Sequence, residues 1–248
     1  MTPFNERMLL SAREKHSRIV LALDVGGPLD ERLARARAIL EKAKQDIAAV
    51  KMNYHLLLPY GLMGVKRLVD ECRREGLPII ADLKMNDIGS TNLDALDSLI
   101  SFGFDGLIAN PFVGYEQGLG EVMKLARGVG LGVLLLVYMS HEGAKDGYAL
   151  RAENGKPLYI TFASRAREWD ADGVIVSARS SAKIAEVRRI VGRRRLIFSP
   201  GVGPQGGSAS TALASGADFV IVGRSITDAL RPGAAVAALR RQLSSPGS

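Results

Sequence analysis

Cysteine and histidine are scarce in this chain of 248 residues, and their scarcity excludes several kinds of site. The single cysteine, Cys72, cannot form a disulfide within the chain, and a cysteine-rich zinc site is excluded as well. The three histidines, His16, His55 and His141, lie far apart, and none belongs to an HExxH pattern. Since a lone histidine is more often structural than a metal ligand, the sequence predicts no metal site.

Long apolar runs are absent too. The longest extends from Leu131 to Met139, broken only by Gly132, and is much shorter than the roughly 20 residues that a helix needs to cross a bilayer. Residues 1–18 carry charges throughout and lack the apolar core of a signal peptide. We therefore expect no membrane partner and a cytoplasmic location.

The charge balance is basic, with 33 lysines and arginines against 26 aspartates and glutamates, a formal net charge of +7. A basic chain can bind nucleic acid, a membrane or an anionic metabolite, but here the positive residues do not cluster with aromatic side chains. The densest run, Arg193–Arg195, follows Gly192, where a helix is expected to end. We interpret it as a solvated helix C-terminus, where cations are favourable, and expect no nucleic-acid partner.

Short runs rich in Val, Ile and Leu alternate with longer amphipathic stretches, which is typical of strands that alternate with helices. Eight runs are predicted to be strands: Arg18–Val25, Ile47–Asn53, Pro78–Lys84, Gly106–Pro111, Gly132–Met139, Gly173–Ala178, Leu196–Val202 and Phe219–Arg224. Because the runs are almost continuously apolar, both faces of each strand should be buried, as in parallel sheets covered by helices. Eight such units predict an α/β fold, a closed (β/α)8 TIM barrel that forms a single domain over residues 1–248.

Amphipathic stretches between these runs are predicted to be helices, and an additional N-terminal helix precedes the first strand. The predicted helices are Asn5–Lys15, Asp30–Lys44, Gly61–Glu75, Thr91–Phe102, Glu116–Arg127, Ser180–Val191 and Pro232–Gln242. A doubly wound open sheet is the alternative, but its GxGxxG fingerprint is missing after the first strand, where Val25-Gly26-Gly27-Pro28 follows Asp24.

Polar residues end most of the apolar runs, and in a barrel of this kind the chemistry lies at the C-terminal ends of the strands. These residues are Asp24, Lys51, Asp82, Lys84, Asn110, Ser140, Ser199 and Arg224. Charged groups are rarely buried without a partner, so charges inside strands indicate a site.

The third strand is the most informative, because it carries a D-x-K-x-x-D pattern formed by Asp82, Lys84 and Asp87. Side chains alternate along a strand, so Asp82 and Lys84 should point the same way and Leu83 towards the helices. Lys51 ends the neighbouring strand and should lie beside them. A salt-bridge layer that only fills the barrel is the alternative, but desolvation makes such a layer a poor source of stability. Lys84, held as an ammonium by carboxylates, is a candidate general acid.

Two further segments indicate ligand binding. The glycine-rich segment Ser199–Gly207 follows the seventh strand, and Gly223 and Arg224 follow the eighth, where this fold commonly holds a phosphate. Gln205 could close over that phosphate from a mobile loop. After the fifth strand, Ser140 either hydrogen-bonds a polar heterocycle or only begins a loop and caps a helix.

Several segments together resemble the archaeal-type orotidine 5′-phosphate decarboxylase (OMP decarboxylase) family. They occur in the family's order and span nearly the whole chain: Leu21–Val25, Lys51 in VKMN, Ala81–Asn92, Met139–Ala144, Ser199–Gly207 and Ile221–Ile226. The resemblance implies a homodimer of (β/α)8 barrels that decarboxylates orotidine 5′-monophosphate to UMP and CO₂, the last step of pyrimidine nucleotide biosynthesis. It also implies that no metal and no organic cofactor takes part.

The resemblance also implies roles for individual residues. Lys84 protonates C6 of the pyrimidine, Asp82 lies against the scissile carboxylate, and Lys51 completes the charge array and binds a ribose hydroxyl. The other substrate-binding residues are Asp24 at the ribose, Ser140 at the pyrimidine, Pro200 at the CO₂ pocket, and Gln205, Gly223 and Arg224 at the phosphate. Asp87, Ile88 and Thr91 are expected to reach the active site of the partner subunit, so that the site is shared.

The same D-x-K-x-x-D pattern occurs in similar families that act on sugar phosphates with magnesium, such as 3-keto-L-gulonate 6-phosphate decarboxylase and hexulose-6-phosphate synthase. Those relatives are expected to carry an acidic metal ligand at the end of the second strand, where this chain has Lys51. A non-catalytic nucleotide- or RNA-binding barrel is a further alternative, suggested only by the net charge. One departure from the family pattern is the polar, glycine-containing segment Lys145–Pro157, where a regular helix is expected.

Overall fold

The computed structural model describes residues 2–244, in which eight strands form a closed barrel. The strands are β1 Ile19–Ala22, β2 Ala49–Asn53, β3 Ile79–Met85, β4 Gly106–Ala109, β5 Gly132–Tyr138, β6 Gly173–Val176, β7 Leu196–Pro200 and β8 Phe219–Val222. Each strand pairs in parallel with the next, and β8 pairs in parallel with β1. The predicted (β/α)8 barrel is therefore confirmed, and the open-sheet alternative is wrong.

Helices surround the barrel. They are α1 Pro3–Glu14, α2 Leu29–Ala43, α3 Tyr54–Arg74, α4 Gly89–Phe102, α5 Gly120–Val129, α6 Ala144–Tyr148, α7 Leu158–Glu168, α8 Ser181–Val191, α9 Ala209–Ala214, α10 Arg224–Thr227 and α11 Pro232–Ser244. The predicted N-terminal helix is α1, which starts two residues earlier than expected, with Pro3 in its first turn and Thr2 as its cap. Proline is well suited to that position because its missing N–H is not needed there.

Two helix starts differ from the prediction by four residues or more. Helix α3 begins at Tyr54, and its first part is separated by a break at Gly61 (φ +62°) from the second part, which corresponds to the predicted helix. Helix α5 begins at Gly120 rather than Glu116, because the π-helical turn Tyr115–Leu119 comes first and Gln117 adopts a left-handed conformation. In both cases local glycine and turn geometry override the amphipathic pattern.

The polar segment Lys145–Pro157 is indeed irregular. It contains four of the five residues of the short helix α6, followed by a loop that is closed by a bridge between Arg151 and Pro157. The regular helix α7 begins directly afterwards, at Leu158.

The barrel interior is filled by side chains that alternate with those facing the helices. On β1, Val20 and Ala22 point inward, while Ile19 and Leu21 pack under the helices. Phe4 and Met8 of α1 join the inward-facing cluster, and the ring of Phe4 lies 6.5 Å from that of Phe198. Helix α1 therefore plugs the end of the barrel at which the strands begin.

The run Arg193–Arg195 is not simply solvated as expected. The guanidinium of Arg195 donates to the carbonyls of Ala166 and Arg167 at the end of α7 and to Asp170, 2.7 Å away. Arg195 also donates to the carbonyl of Val191, the last residue of α8, at 3.4 Å. The positive charge therefore lies at the C-terminus of α8, as expected, and at that of the preceding helix as well.

Candidate active site

A cavity of about 210 Å³ opens where the strands end, opposite the plug formed by α1. Nine of the residues predicted from the sequence line it: Asp24, Lys51, Asp82, Lys84, Ser140, Pro200, Gln205, Gly223 and Arg224. Two other strand-end residues do not. Asn110 instead caps the following turn by accepting a hydrogen bond from the N–H of Phe112, and Ser199 is fully buried on the opposite side of β7 from the cavity-lining Pro200.

Four charged side chains form a continuous chain across the cavity floor. Lys51 Nζ donates to Asp82 Oδ2 at 2.7 Å and to Asp24 Oδ1 at 3.4 Å. Lys84 Nζ donates to Asp82 Oδ1 at 2.8 Å, so both carboxylate oxygens of Asp82 are held by ammonium groups. The order of the four groups is Asp24, Lys51, Asp82 and Lys84, with alternating charges.

The central pair of this chain is buried and the outer pair is open to solvent. The side chains of Lys51 and Asp82 are only 6% and 8% exposed, whereas those of Asp24 and Lys84 are 28% and 32% exposed. Burial lowers the pKa of Lys51, but the carboxylates of Asp82 and Asp24 outweigh it, and the pKa lies above the ordinary lysine value. Burial likewise raises the pKa of Asp82, and the two lysines more than reverse this. Both groups are therefore charged at neutral pH.

The backbone of β3 is distorted where it presents Lys84. The register between β3 and β4 shifts between Ala81 and Met85, and Lys84 has a φ of +47°. A residue with a Cβ adopts this left-handed conformation at a cost of roughly 1–2 kcal/mol. Asp82 and Lys84 nevertheless lie on the same side, as the strand period predicts, and Leu83 packs against the cluster under the helices. Bulges of this kind re-aim side chains next to active sites.

The walls of the cavity are largely apolar. They are built from inward-facing strand residues that the sequence analysis did not single out, namely Ile108, Leu136, Ile175 and Ile221. The apolar strand patterns contain the signal for these residues, since side chains of the same face recur at every second position. Apolar walls beside charged groups lower the local dielectric constant, which strengthens electrostatic interactions with a bound ligand.

Asn53 is a polar cavity residue that the sequence analysis missed. It ends β2, lines the cavity, and accepts a hydrogen bond from the N–H of His55 at 2.9 Å as the cap of α3. An asparagine before a helix is a common cap, and this local role concealed its position at the cavity.

The glycine-rich segment Gly201–Gly207 folds into a compact loop over one edge of the cavity. Its backbone is closed by hydrogen bonds from Gly207 N to Gly201 O and from Gly203 N to Gly207 O, both 3.0 Å long. Ser140 Oγ donates to Gln205 Oε1 at 3.0 Å and so connects this loop to the end of β5. Both residues therefore roof the same part of the cavity.

Arg224 stands at the rim beside this loop. It is exposed and forms no ion pair within residues 2–244, whereas Arg7, Arg188 and Arg195 each pair with an aspartate. A free guanidinium offers a fork of donors suited to a phosphate.

Asp87, Ile88 and Thr91 lie outside the cavity of their own chain. All three are exposed, and the carboxylate of Asp87 accepts a hydrogen bond from the N–H of Ile88 at 2.7 Å. Asn92, which is buried, holds this loop by accepting from the N–H of Asp87 and donating to its carbonyl. In one chain Asp87 is thus not part of the charge array, and its reach into a partner's site stays a prediction.

In the part of the chain that the structure describes, no three His, Cys, Asp or Glu side chains are grouped as a metal site would require. Over the same residues, no helix combines the length and apolar character needed to span a bilayer.

Comparison with known proteins identifies the family. The chain matches the sequence model of the Orotidine 5′-phosphate decarboxylase / HUMPS family over residues 17–239. It is 36% identical over 219 residues to the orotidine 5′-phosphate decarboxylase of Methanococcoides burtonii, which covers 88% of this chain and 94% of that protein. It is 38% identical over 214 residues to the orotidine 5′-phosphate decarboxylase of Pyrococcus abyssi, with coverage of 86% and 93%.

A solved structure agrees with these relatives. The crystal structure of orotidine 5′-phosphate decarboxylase from Pyrococcus horikoshii superposes with a TM-score of 0.75 at 33% identity, covering 92% of this chain and all of that one. Sequence and barrel architecture match over nearly the full length. The chain therefore belongs to the Orotidine 5′-phosphate decarboxylase / HUMPS family.

Proposed function

We propose that this chain decarboxylates orotidine 5′-monophosphate to UMP and CO₂, and is therefore a carboxy-lyase of pyrimidine nucleotide biosynthesis. The observation that carries the proposal is the chain of four charges from Asp24 to Lys84 at the floor of an apolar cavity. The family and the names of the relatives support the same substrate.

The proposed chemistry needs one proton donor and no electron sink. The bond between C6 and the carboxyl carbon breaks, CO₂ leaves, and the electron pair remains at C6. The ammonium of Lys84 stabilises this developing charge and then donates its proton to C6, and solvent reprotonates the amine. Asp82 lies against the scissile carboxylate and keeps Lys84 directed at C6.

The remaining residues bind the parts of the substrate that do not react. Asp24 and Lys51 bind the ribose, and Ser140 binds the pyrimidine. Pro200 lines the pocket for CO₂, while Gln205, Gly223 and Arg224 hold the phosphate. Binding energy from a remote phosphate can assemble the site around the reacting carbon, because Gln205 connects the phosphate loop to Ser140.

We further propose that the active enzyme is a cytoplasmic homodimer, in which each barrel is a single domain. Asp87, Ile88 and Thr91 then complete the partner's site. Exposed apolar side chains on the mouth of the barrel after β2, β3 and β4 support this arrangement: Tyr54, Leu58, Met63, Ile88 and Phe112. Exposed apolar surface grouped on one side of a protein is typical of an interface.

A magnesium-dependent reaction on a sugar phosphate is the alternative, and it is not favoured. Lys51 occupies the second-strand position where such a reaction requires an acidic metal ligand, and its ammonium contacts both nearby carboxylates. A cation already pairs with the oxygens that a divalent metal would need.

The test is to mix the purified protein with orotidine 5′-monophosphate in excess EDTA and follow the loss of orotate absorbance. Rapid turnover is expected, and it would establish the substrate and the independence from divalent metals together. No turnover in EDTA, with activity on a sugar phosphate after addition of magnesium, would overturn the proposal.

A further inference from the structure

The distorted backbone at Lys84 takes Leu83 out of the strand pairing. Pairing of β3 with β2 ends at Asp82, and pairing with β4 skips from Ala81 to Met85. Neither neighbouring strand therefore pairs with Leu83. Backbone carbonyls are strong acceptors, so one that leaves the strand pairing takes a donor from elsewhere.

Tyr54 supplies that donor. Tyr54 is the first residue of α3, directly after the neighbouring strand β2. Its hydroxyl donates to the carbonyl oxygen of Leu83 at 2.5 Å. The peptide that follows this carbonyl belongs to Lys84, whose left-handed φ sets the direction of its side chain. The hydroxyl of Tyr54 thus fixes the peptide unit from which Lys84 departs.

We propose that Tyr54 is a positioning residue for Lys84, acting through the carbonyl of Leu83. It does not line the cavity and touches no part of the proposed substrate. Its hydrogen bond holds the bulge, and the bulge in turn holds Lys84 Nζ on Asp82 Oδ1, 2.8 Å away. The inference rests on the proposed function, in which Lys84 donates the proton to C6.

The test is Tyr54→Phe, which removes the hydroxyl and little else. We expect kcat on orotidine 5′-monophosphate to fall on the order of 10- to 100-fold, because small displacements of a reacting group have effects of this size. KM should stay within about twofold, since the groups that bind ribose and phosphate are unchanged. The matched control is Tyr60→Phe, which removes a tyrosine hydroxyl from the same helix whose hydrogen bond goes to the carbonyl of Leu29 instead.

A second measurement does not depend on activity. In protein labelled with ¹³C at the lysine side chains, the Lys84 signal is assigned by its absence in Lys84→Ala. It should shift in Tyr54→Phe and stay in place in Tyr60→Phe. The two proposals can fail separately. If the Lys84 signal shifts in Tyr54→Phe but the unsubstituted protein does not decarboxylate orotidine 5′-monophosphate, the proposed function is refuted and the positioning role remains.

Other outcomes would overturn the positioning role. An unmoved Lys84 signal would do so, as would a kcat in Tyr54→Phe equal to that of Tyr60→Phe. A loss confined to melting temperature, with kcat unchanged, would show that the hydroxyl only stabilises the fold.

Discussion

At the scale of single residues, the four charged side chains of the cavity floor differ in their exposure to solvent. Lys51 and Asp82 are buried, and replacing such a pair by apolar residues is often neutral for stability. Their value therefore lies in fixing geometry. The more exposed Lys84 and Asp24 remain open to a ligand while the buried pair holds them in register.

Lys84→Ala is expected to abolish measurable turnover and leave a folded protein. Loss of a general acid alone costs about 10²–10⁴-fold, and loss of a preorganised charge at the reacting carbon adds to this. The assay with orotidine 5′-monophosphate measures the effect, and circular dichroism checks the fold. Lys124→Ala is the matched control, because Lys124 forms an exposed ion pair with Glu121 away from the cavity. Normal activity in Lys84→Ala would refute the mechanism.

Lys51→Met is expected to raise the pKa of Asp82. Burial favours the neutral carboxyl, and one of the two lysines that oppose it is lost. In the unsubstituted protein the lowered pKa stabilises the fold above the ordinary aspartate pKa, and this contribution is lost as the pH falls. As the pH falls, Lys51→Met should therefore lose the stabilisation from ionised Asp82 at a higher pH than the unsubstituted protein does.

The Asp82 carboxyl signal in a ¹³C NMR pH titration measures this change directly. Lys44→Met is the control, since Lys44 pairs with Glu41 and Glu75 on the surface. An unchanged Asp82 midpoint in Lys51→Met would show that Lys84 alone keeps the carboxylate ionised.

At the scale of elements, the loop after β7 depends on glycines for two different reasons. Gly201 (φ +94°) and Gly206 (φ +87°) both adopt a backbone conformation that side chains disfavour. Only Gly201 is also crowded: a Cβ there would lie 2.7 Å from the Cβ of Ser140 and 3.1 Å from Gln205 Oε1. Gly201 is therefore where the loop, Ser140 and Gln205 approach most closely.

Gly201→Ala is expected to raise KM for orotidine 5′-monophosphate roughly tenfold or more, because it displaces the contact between Ser140 and Gln205 that roofs the cavity. Gly206→Ala introduces similar backbone strain without the clash, and it should change KM much less. Steady-state kinetics on the two variants decide the matter. Equal effects would mean that backbone strain, rather than the crowding, controls the loop.

The N-terminal helix is the second element with a specific task. Phe4 fits against the starts of β4 and β5, where a Cβ on Gly106 or Gly132 would come within 2.8 or 2.3 Å of its ring. Phe4→Ala is expected to lower the free energy of unfolding by about 3–5 kcal/mol, as for other buried phenylalanines. Urea unfolding measures this change. Leu10→Ala is the control, because Leu10 lies in the same helix and is exposed.

Turnover should remain near normal in Phe4→Ala at temperatures where the variant is folded, because the plug and the cavity lie at opposite ends of the barrel. A large loss of kcat in the folded variant would contradict this separation of stability from chemistry.

At the scale of the whole molecule, the proposed shared active site depends on the apolar side of the barrel mouth. Leu58→Asp is expected to give a monomer in sedimentation velocity, since it places a charge in the proposed interface. Turnover should also be lost, because the site of a monomer lacks the partner's Asp87. Leu230→Asp is the control, because Leu230 is fully exposed outside this group. A fully active monomer would refute the shared site, and an intact dimer would refute the proposed interface.

Much of the fold and the polar part of the site follow from local sequence. Eight buried apolar runs predict eight strands, and because parallel strands end at one edge, Asp24, Lys51, Asp82 and Lys84 had to meet. The positions of Ser140, Gln205 and Arg224 at the same mouth follow from the strand order in the same way.

Features that depend on contacts between distant segments could not be predicted from the sequence pattern. The bulge at Lys84, the hydrogen bond from Tyr54 to Leu83, and the fit of Phe4 against two glycines leave no periodic pattern in the sequence. Hydrophobic periodicity records which face of an element is buried, but not which neighbour covers it. The local pattern thus predicts the barrel and the charges at its mouth, and tertiary packing determines how the side chain of Lys84 is directed.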